Sequence, residues 1–286
     1  MKQLSYRVVE RRQETTDTAT LTLAPTNGGI GAWTPGQFTL IRAGDGAEAP
    51  LAISGGGGDR IRHTVRDAGA VTRAIATAPI GTTLELRGPY GQGWDLARAY
   101  GRDLVILGGG MGLAPLRPVI TEALAHRDRY RRVVVLVGAR TPADLLYSQE
   151  YGAWRSSGAQ VLVTVDRAQR GWRGAVGVIT GQLPRASFTP AETVACVCGP
   201  ELMMRFAAQA LSRLGVPDKA IQVSLERHME CAIGRCGHGS PGSALVCREG
   251  PVADWERAAP LLSVAGPVAP AQQGSPPVPA GEPCRG

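Results

Sequence analysis

The chain has 286 residues, 43% of them hydrophobic, which allows two domains with full cores and is typical of a globular protein. Its net charge of +7 comes almost entirely from arginines that are dispersed along the chain, so the composition disfavours nucleic-acid binding. No apolar run is long enough to span a bilayer, and the N-terminus has no signal-peptide core. We therefore expect a cytoplasmic protein without membrane insertion.

Short strand-like runs follow one another between Leu4 and about Arg87. Turn-rich separators such as Pro25–Gly31 and Gly55–Gly58 lie between them, which is typical of a small antiparallel β-barrel. We expect one short helix in this region, Val71–Thr77. The predicted strands are Tyr6–Val9, Thr18–Leu23, Phe38–Ile41, Arg60–Val65 and Thr83–Leu86.

Strands and helices alternate beyond Arg102, which predicts a doubly wound parallel sheet. The last helix carries an apolar stripe that we expect to face the core: Leu202, Met203, Phe206, Ala210, Leu211 and Leu214. The predicted strands are Leu104–Leu107, Val133–Val137, Gln160–Val165, Thr193–Cys198 and Ile221–Ser224, and the helices Pro115–His126, Pro142–Trp154 and Glu201–Leu214. The predicted domains are a barrel over 1–98, an α/β domain over 99–224, a cysteine-rich lobe over 225–263 and a disordered tail over 264–286.

A glycine-rich turn follows the first strand of the α/β domain, in the stretch VILGGGMGLAPLR at Val105–Arg117. A strand, glycines and a helix N-terminus together let backbone N–H groups and the helix dipole face a phosphate. The spacing G-x-G-x-x-P at Gly110–Pro115 differs from the usual G-x-G-x-x-G, and an ordinary strand-to-helix turn is the alternative.

Ligands of an open parallel sheet bind at the carboxyl ends of its strands, and three of these ends carry informative residues. Arg140 is suited to a ribose phosphate, although a surface salt bridge is the commoner role. Asp166 is suited to ribose hydroxyls or to starting a turn. Cys198, before Gly199 and Pro200, is either a residue of the crevice or a small buried hydrophobe.

Three of the six cysteines fall in one glycine-rich segment, at Cys231, Cys236 and Cys247. Their spacing fits the first, second and last positions of the plant-type [2Fe–2S] pattern C-x4-C-x2-C…C, whereas Gly239 takes the third position. We favour an iron–sulfur lobe over zinc or inert thiols. The candidates for a fourth ligand are His238, Ser240 and Cys284.

Five segments in this order resemble the ferredoxin–NADP reductase superfamily: HTVRDAGAVTRAI, LRGPYGQGW, GGGMGLAPLRP, CGP and CREGPV. The resemblance covers residues 5 to 263. Within the superfamily, the chain looks like flavin-containing electron-transfer subunits with a C-terminal [2Fe–2S] lobe. These are the gamma subunit of cytosolic nickel–iron hydrogenases, the electron-transfer subunit of dihydroorotate dehydrogenase and the B subunit of anaerobic sulfite reductase.

The resemblance implies roles for particular residues. The flavin motif, usually Arg-x-Tyr/Phe-Ser, has Ala49, Leu51 and Ala52 at its defining positions, and Arg66 is a substitute phosphate ligand. The implied flavin-binding residues are Pro50, Leu51, Ala52, Ile53, Ser54, Val65, Arg66, Gly69, Val71 and Thr72. The implied pyridine-nucleotide residues are Gly109, Gly110, Met111, Gly112, Leu113, Arg140, Asp166, Gly199 and Pro200, with Cys198 as the catalytic residue beside the nicotinamide.

The same resemblance implies an NAD(P)H-dependent oxidoreductase subunit that uses FAD and a [2Fe–2S] cluster and exchanges electrons with a partner redox subunit, such as a hydrogenase. No acid–base dyad stands out in the sequence, consistent with hydride and electron transfer. Arg140 favours NADP and Asp166 favours NAD. The alternatives are a non-catalytic assembly subunit with altered flavin and cluster sites, and a stand-alone flavin reductase without a cluster.

Overall fold

The N-terminal part of the chain, Leu4–Tyr90, forms a closed antiparallel barrel with strand order β1-β2-β5-β4-β3-β6, as predicted. The computed structural model describes residues 3–225 and 250–264. The barrel strands are β1 Leu4–Thr15, β2 Thr18–Pro25, β3 Phe38–Ala43, β4 Glu48–Gly57, β5 Arg60–Arg66 and β6 Thr83–Tyr90, and helix α1 spans Ala70–Ala76.

Strand β4 is absent from the predicted strands, yet it pairs with both β3 and β5. A proline at position 50 and three glycines from Gly55 to Gly57 give this stretch the composition of a turn. Tertiary pairing overrides that local preference, because Ala49 and Ile53 point into the barrel and join its apolar core.

The second domain is a seven-stranded sheet with the order β10-β9-β8-β7-β11-β12-β13. All its strands are parallel except β13, which is antiparallel to β12. The strands are β7 Asp103–Gly109, β8 Arg132–Ala139, β9 Ala159–Val165, β10 Ala175–Val176, β11 Thr193–Cys198, β12 Ile221–Ser224 and β13 Val252–Asp254. The helices are α2 Leu113–Ala125, α3 Tyr151–Ser156, α4 Glu201–Arg213 and α5 Trp255–Val264.

Short 3-10 turns connect many of these elements. They span Leu96–Ala99, Gly110–Gly112, Arg127–Arg129, Pro142–Asp144, Ser148–Glu150, Ile179–Arg185, Pro190–Glu192 and Asp218–Ala220. The sheet is buried on both faces: Leu104 and Ile106 of β7 belong to one apolar cluster, whereas Val105 and Leu107 belong to the other. This explains why the strand reads as a continuous apolar run.

The single helix predicted over Pro142–Trp154 is wrong. Thr141 and Asp144 form a capping box around one 3-10 turn, after which the chain turns inward to bury Leu145, Leu146 and Tyr147. Tyr147 has a left-handed backbone, with φ of 55°, and helix begins only at Tyr151. The tyrosine therefore interrupts the predicted helix.

Strand β13 and helix α5 lie in the range predicted for the cysteine-rich lobe, but they extend and cover the sheet. The predicted domain limits stay a prediction. The lobe cysteines Cys231, Cys236 and Cys247 lie outside the described residues, as do almost all of the predicted tail and the candidate ligands His238, Ser240 and Cys284. In the described part of the chain, no helix combines the length and apolar character required to cross a membrane.

A histidine is fully buried within the barrel. His63 is 0% exposed, its Nδ1 lies 3.0 Å from the Ala52 carbonyl oxygen, and its Nε2 lies 3.3 Å from the Thr39 hydroxyl. The Ala52 carbonyl accepts from Nδ1–H, which leaves Nε2 to accept from Thr39. Burial lowers the pKa of His63 from 6.5 to about 4, so the ring is neutral at pH 7.

We expect His63 to make the fold acid-sensitive. The unfolded chain takes up a proton at this residue below pH 6.5, whereas the folded chain does so only near pH 4. Stability is therefore lost as the pH falls through that interval, by about 3 kcal/mol from this group. Urea unfolding from pH 7 to pH 4 measures the loss, and His63→Gln should flatten the profile. An equally steep profile in the variant would contradict the assignment.

Candidate functional site

A cleft of about 910 Å³ lies between the barrel and the carboxyl edge of the sheet. Its barrel side is formed by Thr15, Asp17, Thr18 and Arg66. Its sheet side is formed by residues at the ends of β7, β8, β9 and β11 and along α4. The cleft therefore lies where an open α/β sheet binds its ligands, and the barrel closes one side of it.

The glycine turn brings the first turn of α2 to this cleft. Strand β7 ends at Gly109, one 3-10 turn follows, and α2 begins at Leu113. A Cβ on Gly112 would lie 2.3 Å from the Cys198 carbonyl oxygen. A Cβ on Gly199, where φ is 156°, would lie 2.9 Å from the methyl carbon of Met203 and 3.0 Å from the Gly109 carbonyl oxygen. Only glycines allow the end of β11 to approach the turn this closely. The exposed backbone N–H groups of a helix N-terminus suit a phosphate.

Charged side chains of both signs line the cleft. The side chains of Arg66, Arg140 and Arg213 are exposed, and their guanidinium groups form no hydrogen bond or salt bridge within residues 3–225 and 250–264. Asp17 is the acidic group on the barrel side: burial alone would raise its pKa, but the hydroxyls of Thr18 and Thr15 and the nearby charge of Arg66 lower it. Asp144 and Asp166 also line the cleft, so carboxylates and guanidinium groups are equal in number there. The exposed guanidinium groups are nevertheless suited to the phosphates of a ligand.

An apolar wall lines the remaining part of the cleft. Val178, Leu202 and Phe206 are 66%, 61% and 53% exposed and lie with Met203 in its lining. The prediction that Leu202, Phe206 and Leu214 face the core is wrong, whereas the prediction for Leu211 is confirmed. The helix has two apolar faces: one packs on the sheet, and the other, in its N-terminal half, faces the cleft. The residues buried on the first face are Met204, Ala207, Ala208 and Leu211. An exposed apolar surface in a cleft suits a flat ring.

Some predicted site residues lie together in the cleft and others lie elsewhere. Those that line it are Arg66, Gly109, Gly110, Met111, Gly112, Arg140, Asp166, Gly199 and Pro200. Leu113 lies in the core of the sheet domain, and Ile53 and Val65 lie in the barrel core. Cys198 is fully buried in the apolar cluster of the sheet and does not line the cleft. Its catalytic role stays a prediction.

The predicted flavin segments form a separate strip on the barrel. Pro50, Leu51 and Ala52 are half-buried on β4, and the β4–β5 ladder ends at the pair Ile53–His63. The β4 edge that faces away from β3 therefore has no strand partner over Pro50–Ala52 in the described residues. His63 already holds the Ala52 carbonyl and Pro50 has no N–H, so only the remaining backbone groups of this edge are available to a planar ligand. Ala49, at the arginine position of the motif, lies in the barrel core.

The predicted residues of the second flavin segment mark the start of α1. Gly69 is exposed and precedes the helix, whereas Val71 packs on the barrel core. The Thr72 hydroxyl accepts from the Ala68 N–H and donates to the Gly69 carbonyl, so it is used locally. Their binding roles also stay predictions.

A buried polar network joins the two domains, and sequence reasoning missed it. Arg117 of α2 donates to both carboxylate oxygens of Glu150 and to the Ser54 carbonyl, and its guanidinium lies 5.0 Å from the centre of the Tyr147 ring. Arg12 of β1 also reaches Glu150, at 3.0 Å. Burial alone would raise the pKa of Glu150, but the hydrogen bonds and charges of Arg117 and Arg12 lower it.

Hydroxyl groups continue this network. The Tyr147 hydroxyl lies 2.6 Å from that of Thr64, which donates to Ser54 and also contacts Thr20. The side chain of Ser54, predicted to bind flavin, is therefore occupied at the domain boundary. No local motif could have revealed these partners, because Arg117 and Glu150 are 33 residues apart and Arg12 and Glu150 are 138 apart.

The two ends of residues 226–249 meet near the same edge of the sheet. The Leu225 N–H donates to the Pro251 carbonyl at 2.8 Å, just beyond the carboxyl end of β12. The Gln92 N–H, in the loop after the last barrel strand, donates to the Gly250 carbonyl at 2.6 Å. Leu225 and Gly250 therefore both lie at the carboxyl edge of the sheet, beside the barrel.

The barrel, the sheet and the cleft between them define a two-domain, nucleotide-dependent reductase architecture, and comparisons with known proteins agree. The family profile of the oxidoreductase NAD-binding domain matches residues 106–209. The sulfhydrogenase 1 subunit gamma of Pyrococcus furiosus is 32% identical over 232 residues, covering 77% of this chain and 79% of that protein. A probable dihydroorotate dehydrogenase B (NAD(+)) electron transfer subunit of Methanocella arvoryzae is 34% identical over 224 residues, covering 78% and 80%.

Solved structures show the same fold. A chain from a study of flavin-based electron bifurcation by the NADH-dependent reduced ferredoxin-NADP oxidoreductase has a TM-score of 0.72 and 25% identity, covering 90% of this chain and 92% of that one. The flavohem-like FAD/NAD-binding domain of a Vibrio cholerae nitric oxide dioxygenase has a TM-score of 0.70 at 19% identity, covering 78% and 98%. The chain belongs to the ferredoxin–NADP reductase superfamily of oxidoreductases, among the relatives of sulfhydrogenase gamma and dihydroorotate dehydrogenase electron-transfer subunits.

Glu150→Gln should weaken the contact between the domains. At pH 7 we expect the free energy of unfolding in urea to fall by about 1–3 kcal/mol, because two guanidinium groups lose an ionised acceptor. Since the folded pKa of Glu150 is lowered, this stabilisation is present above the glutamate pKa of 4.5 and is lost as the pH falls through the folded value. The matched control is Glu122→Gln, at an exposed glutamate beside His126. Equal losses in both variants would contradict the network.

Gly112→Ala should separate the glycine turn from β11. The new methyl group would lie 2.3 Å from the Cys198 carbonyl oxygen, so the turn must move. Its backbone N–H groups would then no longer point at the phosphate position. We expect the Kd for NADH or NADPH, measured by calorimetry, to rise by about tenfold or more. Gly152→Ala in α3, where a Cβ meets nothing within 4 Å, is the control. An unchanged Kd in a folded Gly112→Ala protein would exclude this turn from the nucleotide site.

Proposed function

We propose that this protein is the NAD(P)H-dependent electron-transfer subunit of a larger redox complex and uses FAD and a [2Fe–2S] cluster. The observation that carries the proposal is the cleft between barrel and sheet, at the edge of the sheet where the cysteine-containing segment leaves and returns. The relatives are named as subunits of sulfhydrogenases and of dihydroorotate dehydrogenase B, which supports a partner subunit for this chain.

The sheet side of the cleft fits a pyridine dinucleotide. The glycine turn and the start of α2 suit the pyrophosphate, and the wall around Phe206 suits a flat base. Arg140 and Asp166 lie at the ends of neighbouring strands, where the ribose of such a ligand belongs. Arg140 favours a 2′-phosphate and Asp166 favours free ribose hydroxyls, so both NADH and NADPH are candidates.

The barrel side fits a flavin through its backbone. The unpaired β4 edge over Pro50–Ala52 offers hydrogen-bonding groups to the ring, and Arg66 is the cation available for a phosphate. The buried His63 side chain donates to the Ala52 carbonyl and so holds the backbone of this strip in position. When bound, FAD supplies the conversion between hydride transfer and single-electron transfer, while the protein orients the two nucleotides.

The cluster assignment rests on Cys231, Cys236 and Cys247. Thiolates are the usual ligands of [2Fe–2S] clusters, and three occur within the segment that starts at Leu225 and ends at Gly250. Because both ends lie at the carboxyl edge of the sheet and Gly250 bonds the barrel loop at Gln92, a metal held by this segment is suited to exchange electrons with a flavin on the barrel. The partner subunit would receive or supply those electrons one at a time.

One observation favours a non-catalytic assembly role as the second candidate. Ala49 and Ala52 lack the charged and hydroxyl groups of the usual flavin motif, and Ala49 is buried in the barrel core. A subunit of this fold without bound cofactors would keep the domain contact and serve only to hold its partners.

Anaerobic purification followed by spectroscopy and by iron, sulfide and flavin analysis tests the proposal. We expect flavin bands, iron and sulfide, with bleaching of the flavin by NADH or NADPH. Flavin without iron would instead support a stand-alone reductase, and neither group would support the assembly role.

Cys231→Ser provides the matched test of the cluster. We expect it to remove the iron and sulfide and the electron paramagnetic resonance signal of the reduced protein while flavin reduction persists. Cys196→Ser is the control, because Cys196 is fully buried in β11 and is not part of the segment 226–249. Unchanged iron and an unchanged signal in Cys231→Ser would overturn the cluster assignment.

A further inference from the structure

A second cavity, of about 550 Å³, lies at the opposite edge of the sheet from β13. Its apolar surface comes from β9, from α3 and from Trp172, which precedes the edge strand β10. The cavity shares no lining residue with the nucleotide cleft. It has the size of an ordinary small-molecule site.

The charged groups of this cavity are all cationic. Arg155, Arg173 and Arg185 line it, and no aspartate or glutamate does. Arg155 donates to the Val161 carbonyl and Arg185 donates to the Gln182 side-chain oxygen, whereas Arg173 has no partner within the described chain. None of the three forms a salt bridge with a described carboxylate. Three guanidinium groups around an apolar surface remain available to an anion.

A buried amide adds a further donor. Gln182 is only 7% exposed and lines the cavity. Its oxygen accepts from Arg185, while its NH₂ group has no hydrogen-bond partner among the described residues. The amide nitrogen of a side chain more than nine-tenths buried is thus left for a ligand. Because Arg185 occupies the amide oxygen, Gln182 offers the cavity only its NH₂ donors, and beside three cations these select an acceptor.

We propose that this cavity binds a small organic anion, with a carboxylate or phosphate head and a flat apolar body. The head would accept from the Gln182 amide and from guanidinium groups, among which Arg173 has no other partner. The body would lie against Trp172 and the side chains of β9. Charge-assisted hydrogen bonds at the head and apolar burial of the body together give such a site its selectivity.

The position of the cavity relates it to the nucleotide cleft. The loop after β9 contributes Trp172 and Arg173 to this cavity, while its first residue, Asp166, and Val178 beyond β10 line the cleft. The two ligands would therefore contact different parts of one loop without competing for the same space. The inference does not depend on the proposed function, since the anion requires neither flavin nor cluster.

Calorimetry with the full-length protein tests the proposal, using 1-naphthoate and 1-naphthyl phosphate as anionic probes and 1-naphthamide as the neutral one. We expect at least one of the two anions to bind more tightly than the amide, by about tenfold or more, because only the anions form charge-assisted hydrogen bonds. Binding should persist in saturating ADP-ribose. Equal affinities for anion and amide, or displacement by ADP-ribose, would overturn the proposal.

Two substitutions locate the site. Arg173→Gln changes an exposed side chain, and Gln182→Glu places a carboxylate among the donors, so each should weaken binding of the anion by about tenfold or more. Arg170→Gln is the matched control, because Arg170 is exposed in the same loop and lines neither cavity. Unchanged binding in a folded Arg173→Gln protein would place the anion elsewhere and refute the inference.

Discussion

The ion pair of Arg117 with Glu150, which both belong to the sheet domain, holds that domain against the barrel through further bonds to Arg12 and to the Ser54 carbonyl. The two charged groups are withdrawn from most of the solvent, and they are stable there only because each has several partners. Because α2 follows the glycine turn and carries Arg117 in its second turn, the same bonds position that turn relative to the barrel. A site built from two domains depends on such a constraint.

Much of the architecture follows from local patterns. The apolar run from Leu104 to Leu107 predicted a buried parallel strand, and alternation of strands and helices predicted the sheet correctly. The close approach of β11 requires glycines in the turn after β7. Because these glycines follow one another in the sequence, the turn could be predicted from the sequence alone. These features are encoded by residues that are neighbours in the sequence.

Features that depend on distant partners were not predictable in this way. The sequence of β4 is typical of a turn, and its strand conformation depends on pairing with β3 and β5. The predicted helix is interrupted at Tyr147, whose hydroxyl contacts Thr64 on the barrel. The two apolar faces of α4 illustrate the same limit. Hydrophobicity distinguishes apolar from polar positions, but it does not show which apolar face of α4 packs on the sheet and which faces the cleft.

The hydrogen bond between the Leu225 N–H and the Pro251 carbonyl closes the base of the segment that contains three cysteines. Leu225 and Pro251 are held side by side, and β13 then pairs with β12. The pairing of the sheet therefore does not depend on the residues between Leu225 and Pro251. Such a junction permits an insert to be exchanged, lengthened or lost as a unit. The two-domain scaffold can thereby carry different inserts at this position without a change to its sheet.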